Sequence, residues 1–291
     1  MNDRDDSVEQ WIYLNGRVMP LNEARISPMD RGFQYGDGVF TTVRVESGRP
    51  LYLAEHLNRL RQSLQDLRIS CQPLQDVDWP YVLGELLASN GLQSDLVALK
   101  ILVTRGVALP LGLPKGGQPT VFARARPYQP PSPEHYTNGW RLHICRSGYA
   151  PPLARHKSLN YLFYLTARQE AIDAGADEAA ILDAHGHIAE TAAGSLLIRS
   201  DGAWWTPDSP YQLPGITLQR VRSLFEAAGQ TVEPRSAAPE DLAKAQTAWV
   251  LNSLMGIMPV CSVDGQDLPL LAAKEAAHWR NELFAGGNRG T

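Results

Sequence analysis

Cysteine is scarce in this chain, and its three copies, Cys71, Cys145 and Cys261, are scattered. That excludes a disulfide framework and offers no metal-ligand spacing; no metal is expected, and the thiols read as core residues in a reducing cytoplasm. Long apolar runs are missing too. No stretch approaches the roughly 18 residues of a membrane helix, and Met1 to Asp6 is acidic without an apolar centre, unlike a secretory signal. Nor is basic charge in excess: 27 Lys and Arg against 31 Asp and Glu give a formal net charge of -4, so no nucleic-acid partner is expected. Internal repeats and low-complexity segments are absent. What is present, 291 residues of which 44% are hydrophobic and 20% charged, is enough for one large domain or two ordinary ones with a sizeable core.

Periodicity supplies the elements. Trp11 to Leu21 reads as a hairpin turning at Asn15-Gly16, and Val39 to Val45 pairs with Pro50 to Leu53 around Glu46-Ser47-Gly48. Leu57, Leu60, Leu64 and Leu67 share one face of a helix over 54–68, and a second helix is expected over 81–89. Strands at 96–103 and 120–125 flank a Gly/Pro-rich loop, 106–117, long enough for a functional lid. The Pro-rich stretch 127–133 reads as a linker between a small N-terminal domain (1–126) and a larger C-terminal one (134–291). Beyond it come strands at 142–146, 178–182, 196–199 and 247–251, with helices at 159–174, 216–228 and 271–284. Strands and helices mix without a βαβ repeat, which predicts an α+β fold in two domains.

The chemistry centres on Ala154-Arg155-His156-Lys157-Ser158-Leu159-Asn160-Tyr161-Leu162. Lys157 follows the Pro151-Pro152 turn and precedes an apolar-periodic helix, where partial burial lowers an amine's pKa and makes it nucleophilic. A solvated lysine at a helix start is the ordinary alternative. Glu190 ends a hairpin in Gly186-His-Ile-Ala-Glu-Thr191; it suits either the surface or a ring nitrogen that must stay protonated. Gly215-Ile216-Thr217 opens a helix whose amides and Thr217 hydroxyl would bind phosphate, or simply cap the helix. Asn252-Ser253-Leu254-Met255-Gly256 is either a second set of phosphate-facing amides or a plain turn at a strand end. Arg59 offers a bidentate guanidinium, or only a solvated one.

Taken in order, these blocks resemble the fold-type IV family of pyridoxal-phosphate enzymes: branched-chain aminotransferases, D-amino acid aminotransferases and aminodeoxychorismate lyases. The resemblance runs from about Trp11 to Leu268. It is carried by Asp30-Arg31-Gly32-Phe33-Gln34-Tyr35-Gly36-Asp37-Gly38-Val39-Phe40, His56 to Leu60, Lys157 to Leu162, Ala176 to Ala179, Glu190, Gly215 to Thr217 and Asn252 to Val260. It implies a small N-terminal α/β domain, a larger barrel-like C-terminal domain with helices, pyridoxal 5'-phosphate as cofactor and a homodimer. By the same resemblance Lys157 is the Schiff-base lysine and Glu190 pairs with the pyridinium nitrogen. Arg59, Ile216, Thr217, Ser253 and Leu254 surround the phosphate, and Tyr161 approaches the ring hydroxyl. Ser195 departs from the family's usual asparagine.

Members of the family diverge after the shared first step. Thr41-Thr42-Val43-Arg44-Val45 and the run from Trp249 through Asn252 to Val260 resemble the lyase form. They imply elimination of pyruvate from 4-amino-4-deoxychorismate to give 4-aminobenzoate for folate biosynthesis. Lys157 would take the proton, Thr42 would serve the departing group, and Asn252, Tyr35 and Arg105 would hold the substrate. A class IV aminotransferase for branched-chain or D-amino acids is the alternative. The loop Val107-Ala-Leu-Pro-Leu-Gly-Leu-Pro114 lacks the second arginine some lyases carry. Arg105, Lys115, Arg44 and Arg155 are therefore the candidate cations for the substrate's two carboxylates.

Overall fold

The computed structural model describes residues 10–269 and 273–287. The chain divides into two compact units. Of the described residues, one comprises those up to Gln129 with Lys157–Asn160; the other comprises Pro130–His156 and those from Tyr161 onward.

The first unit is built on a six-stranded antiparallel sheet: β1 (Trp11–Leu14), β2 (Arg17–Pro20), β3 (Gly38–Glu46), β4 (Arg49–Pro50), β5 (Leu96–Thr104) and β6 (Val121–Pro127), in the order β2-β1-β6-β5-β3-β4. Asn15 and Gly16 turn the first hairpin with φ of 47° and 95°, the paired left-handed geometry that matches strand twist. Strict alternation decides the two faces. Val39, Val43, Val45, Val97, Leu99, Ile101, Val103, Val121, Ala123 and Ala125 point into one core, which α2 (Leu53–Asp66) and α4 (Trp79–Ser89) close with Leu60, Leu64, Val82, Leu83 and Leu86. Each fully buried leucine there contributes roughly 2 kcal/mol. The even-numbered residues of β3, β5 and β6 face the other way. Two short helices, α1 (Arg31–Tyr35) and α3 (Gln72–Gln75), complete the unit.

The second unit carries a nine-stranded mixed sheet. Its strands are β7 (Trp140–Cys145), β8 (Glu178–Leu182), β9 (Ile188–Thr191), β10 (Ser195–Ser200), β11 (Ala203–Pro207), β12 (Val232–Arg235), β13 (Thr247–Asn252), β14 (Gly256–Val263) and β15 (Gln266–Asp267). The order is β12-β11-β10-β13-β14-β7-β8-β9, with β15 on β14. β9, last in that order, also lies beside β10 and β11, so the sheet curls back on itself. The helices are α5 (Pro133–Asn138), α6 (Leu162–Asp173), α7 (Ile216–Ala227), α8 (Pro239–Ala243) and α9 (Ala273–Gly287). No helix among the described residues is long and apolar enough to cross a membrane.

Most elements lie where periodicity put them; the departures have local causes. Residues 50–53 do not extend the second strand, because Tyr52 is left-handed (φ 57°) and α2 begins at once. β11, β12, β14 and β15 were not anticipated as separate strands. The helix expected from residue 159 starts at Leu162, because residues 157–159 pair with β3 instead. Lys157 is thus held in an extended segment rather than at a helix mouth, and it packs with the N-terminal unit although it follows the linker in sequence. Leu271 and Ala272, expected in the last helix, lie outside the described residues.

Candidate active site

The candidate residues fall into two groups, one in each unit. In the first unit, backbone pairing places Lys157. Its carbonyl accepts from Phe40 N at 2.8 Å, and Leu159 N donates to Gly38 O at 2.9 Å. The approach requires glycine at 38, where a Cβ would stand 2.5 Å from Val103 O and 2.8 Å from Leu159 Cδ1. Gly36, at φ +66°, ends α1 in the left-handed region, and a Cβ there would meet Asn160 Oδ1 at 2.9 Å. The Gly-Asp-Gly motif is therefore the seat of the lysine segment.

Lys157 Nζ lies 4.9 Å from the centroid of the Phe40 ring, and Lys100 Nζ lies 4.4 Å from the same centroid. The two ammoniums are closer than the sum of those distances. Thr42 stands directly opposite Lys100 in the β3–β5 register, on the same face as Phe40. On the other face Thr41 is buried, with its hydroxyl oxygen 2.6 Å from His56 Nδ1 and accepting from Arg59 Nη2 at 3.1 Å. Burial, with the nearby charges of Arg59 and Lys157, pushes the His56 pKa down to about 3. The ring is neutral at working pH. Thr41 and Lys100 were missed by sequence reasoning. The available signal was a polar Thr41 at an apolar position of an alternating strand, and a Lys100 inside one.

Arg105, expected to hold substrate, is occupied elsewhere. It is 1% exposed, and its Nε and Nη2 donate to the two oxygens of Asp37 at 2.7 and 3.1 Å. Its remaining hydrogen bonds go to the carbonyls of Leu67, Arg68 and Pro114. Arg31 adds a second ion pair to Asp37 at 2.8 Å and reaches the carbonyls of Pro110 and Gly112. Burial opposes ionisation of Asp37, but the hydrogen bonds and charges of the two arginines outweigh it and hold the carboxyl below its usual range. Together they tie the Gly/Pro-rich loop, read from sequence as long enough for a functional lid, to Arg31 and Arg105. Tyr35 is exposed, with the Arg31 guanidinium 5.0 Å from its ring centroid. Of the other candidate cations, Arg44 pairs with Glu46 at 2.7 Å, and Lys115 and Arg155 are exposed.

In the second unit Glu190 is 6% exposed on β9. Its Oε1 accepts from the Tyr164 hydroxyl at 2.8 Å and its Oε2 from Leu213 N at 3.0 Å. Tyr164, in the first turn of α6, was not singled out from sequence. It stacks on Tyr161 at 4.9 Å between centroids, and burial together with the Glu190 charge raises both phenols' pKa. Tyr161 donates its hydroxyl to Ala192 O at 2.9 Å. Gly215 begins α7 without a side-chain cap, and Thr217 is buried in the first turn. A Cβ on Gly215 would overlap Ser195 Oγ, so the helix start packs directly on Ser195. Asn252, expected on the substrate, closes its own turn: Oδ1 accepts from Leu254 N at 3.0 Å and Met255 N at 2.9 Å, and Nδ2 donates to Ala193 O at 3.3 Å. That turn, residues 253–255, also uses the Leu254 amide expected on phosphate.

The family model described as amino-transferase class IV matches residues 38–263. A putative branched-chain-amino-acid aminotransferase of Methanocaldococcus jannaschii is 34% identical over 258 residues, 88% of each chain. An aminodeoxychorismate lyase of Vibrio harveyi is 28% identical over 264 residues, 88% of this chain and 92% of that one. Among solved structures, the T.th. branched-chain amino acid aminotransferase complexed with N-(5'-phosphopyridoxyl)-L-glutamate has the same fold, with a TM-score of 0.81 at 24% identity over 96% of this chain and 94% of that one. With its fold-type IV architecture, the chain belongs to the class IV aminotransferase family, whose enzymes use pyridoxal phosphate.

Proposed function

We propose that this enzyme acts on a primary amine bearing more than one carboxylate, and that it eliminates pyruvate from 4-amino-4-deoxychorismate to give 4-aminobenzoate. The observation that carries this reading is the Phe40 ring shared by the Lys157 and Lys100 ammoniums, with Thr42 beside Lys100. A cation over the same aromatic ring as the reactive amine suits an acidic substrate and is costly beside a purely aliphatic one.

The residues present suit the cofactor. The chain supplies a primary amine for its aldehyde, a buried carboxylate for its ring nitrogen and an uncapped helix start for its phosphate. When bound, the cofactor supplies an electron sink for the carbon that loses its proton. Lys157 Nζ takes the C4 proton of the substrate; the C3–O bond breaks, enolpyruvate leaves and the ring becomes aromatic. Glu190, oriented by Tyr164 and Leu213 N, keeps the ring nitrogen protonated. By the family resemblance, Arg59, held by Thr41, and the first-turn amides at Ile216 and Thr217 would take the phosphate, with the Ser253 hydroxyl as a further donor. Lys100 binds a substrate carboxylate, and Thr42 serves the departing group. Asn252 acts by shaping its turn. A homodimer belongs to the same reading. Leu109 and Leu111 are 83% and 85% exposed on the loop tied to α1 by Arg31, an apolar surface that a second copy would cover.

A second reading, amino-group transfer, draws support from the 34% identity to the Methanocaldococcus protein. Incubation of the holoenzyme with 4-amino-4-deoxychorismate and no keto acid separates the two. The lyase yields 4-aminobenzoate and pyruvate in equal amounts. Turnover only when 2-oxoglutarate or pyruvate is added as acceptor, with no 4-aminobenzoate, overturns the lyase in favour of the transferase.

A further inference from the structure

Lys100 does not stand alone on the outer face of the N-terminal sheet. In the β5–β6 register it lies directly opposite Arg124, and Ala98, two residues before it, lies opposite Arg126. Thr42, Lys100 and Arg124 therefore form one row across three strands, and Arg126 is diagonal to Lys100. Neighbouring strands are about 4.8 Å apart, so each step along the row displaces the next side chain by roughly that distance. Lys100 and Arg124 are half-buried and Arg126 is exposed.

Among the described residues no carboxylate pairs with Lys100, Arg124 or Arg126. Arg44, in the neighbouring row, is already neutralised by Glu46. Burial and the charges of Arg124 and Arg126 lower the pKa of Lys100; burial and Arg126 do the same to Arg124. Folding gains nothing from gathering half-buried like charges beside small neighbours such as Ala98 and Thr42. An anion bridging them recovers the cost.

We propose that Arg124, supported by Arg126, forms a second carboxylate subsite one strand beyond Lys100. It selects substrates that carry two carboxylates over those that carry one. This rests on Lys100 binding the first carboxylate, as in the functional reading above. A guanidinium suits the role, because its planar fork binds a carboxylate with two parallel hydrogen bonds.

The test is calorimetric titration of the holoenzyme at low salt with two probes, benzoate and isophthalate, which differ by one carboxylate. Wild type is expected to bind isophthalate more tightly. Arg124→Gln should weaken isophthalate about ten- to hundredfold, as expected for one charge-assisted contact, while benzoate changes by less than about twofold. Arg124→Lys should recover part of the loss, and Lys100→Gln should weaken both probes. Equal loss of both probes in Arg124→Gln, or unchanged affinity for both, overturns the subsite. The outcome is separable from the reaction. Loss of dicarboxylate preference without 4-aminobenzoate formation would leave the subsite standing and remove the lyase. Lyase turnover with an unchanged substrate KM in Arg124→Gln would do the reverse.

Discussion

Replacing Arg105 by alanine distinguishes a structural arginine from one that binds substrate. The side chain is almost wholly buried, shares the Asp37 carboxylate with Arg31 and ends on three backbone carbonyls. Removing one partner of a buried ion pair costs about 3–5 kcal/mol. Arg31 still neutralises Asp37 in the variant, so the lower end, about 3 kcal/mol, is the appropriate figure. For a unit of this size that corresponds to a fall of roughly 6–12 °C in apparent Tm. The assay is thermal unfolding of the holoenzyme followed by near-UV circular dichroism, beside steady-state kinetics on the surviving fold. Arg105→Lys should fall between the two, since it keeps the charge but loses the fork. Asp37 has a folded pKa below its unfolded one. Its stabilising contribution is therefore complete above about 3.9 and is lost as pH falls through the lower folded value. The gap between wild type and variant should stay constant from about pH 5 to 8 and narrow only in strong acid. An unchanged Tm with a tenfold rise in substrate KM would refute the structural assignment and return Arg105 to the substrate.

Three further outcomes follow from the geometry. Tyr164→Phe removes the donor that orients Glu190 Oε1; on the proposed role of Glu190 the carboxylate is then less well aligned to a ring nitrogen, and cofactor affinity, read from its absorbance on titration, should drop about tenfold. Unchanged affinity would mean that Tyr164 only packs. Gly38→Ala forces a methyl against Val103 O and Leu159, costing about 1–3 kcal/mol and displacing the segment that carries Lys157; borohydride fixation of the cofactor should slow, and a normal rate would refute the close approach. His56, with a folded pKa of about 3, contributes stability that is complete above roughly pH 6.5 and is lost on acidification towards 3. His56→Gln should flatten the dependence of Tm on pH below about 6.5, and an unaltered slope would place the titration elsewhere.

Much of this fold was legible in one dimension. The alternation of Val39, Val43 and Val45, the Leu60/Leu64 stripe and the Asn15-Gly16 turn depend on neighbours only a few residues away, and local periodicity records such relations. Some strands after residue 200 were harder, because β11, β12 and β14 are short or flanked by turns and gain their identity from partners far along the chain. The candidate site divides in the same way. Lys157, Glu190, Arg59 and Thr217 stood out because their motifs occur in a recognisable order. Thr41, Lys100 and Tyr164 did not, since each matters through a cross-strand or cross-element contact.

By itself, then, the sequence determined the family, the cofactor and the alternation that sorts one face of the N-terminal sheet from the other. Tertiary structure decided which cation is available. Arg105 and Lys100 both lie in or beside one strand and look equivalent on paper. One is drawn inward by Asp37 and three carbonyls; the other is left on the outer face, over the Phe40 ring and opposite Arg124. The physical reason is that a charge's role depends on what neutralises it, and the neutralising groups come from residues tens of positions away.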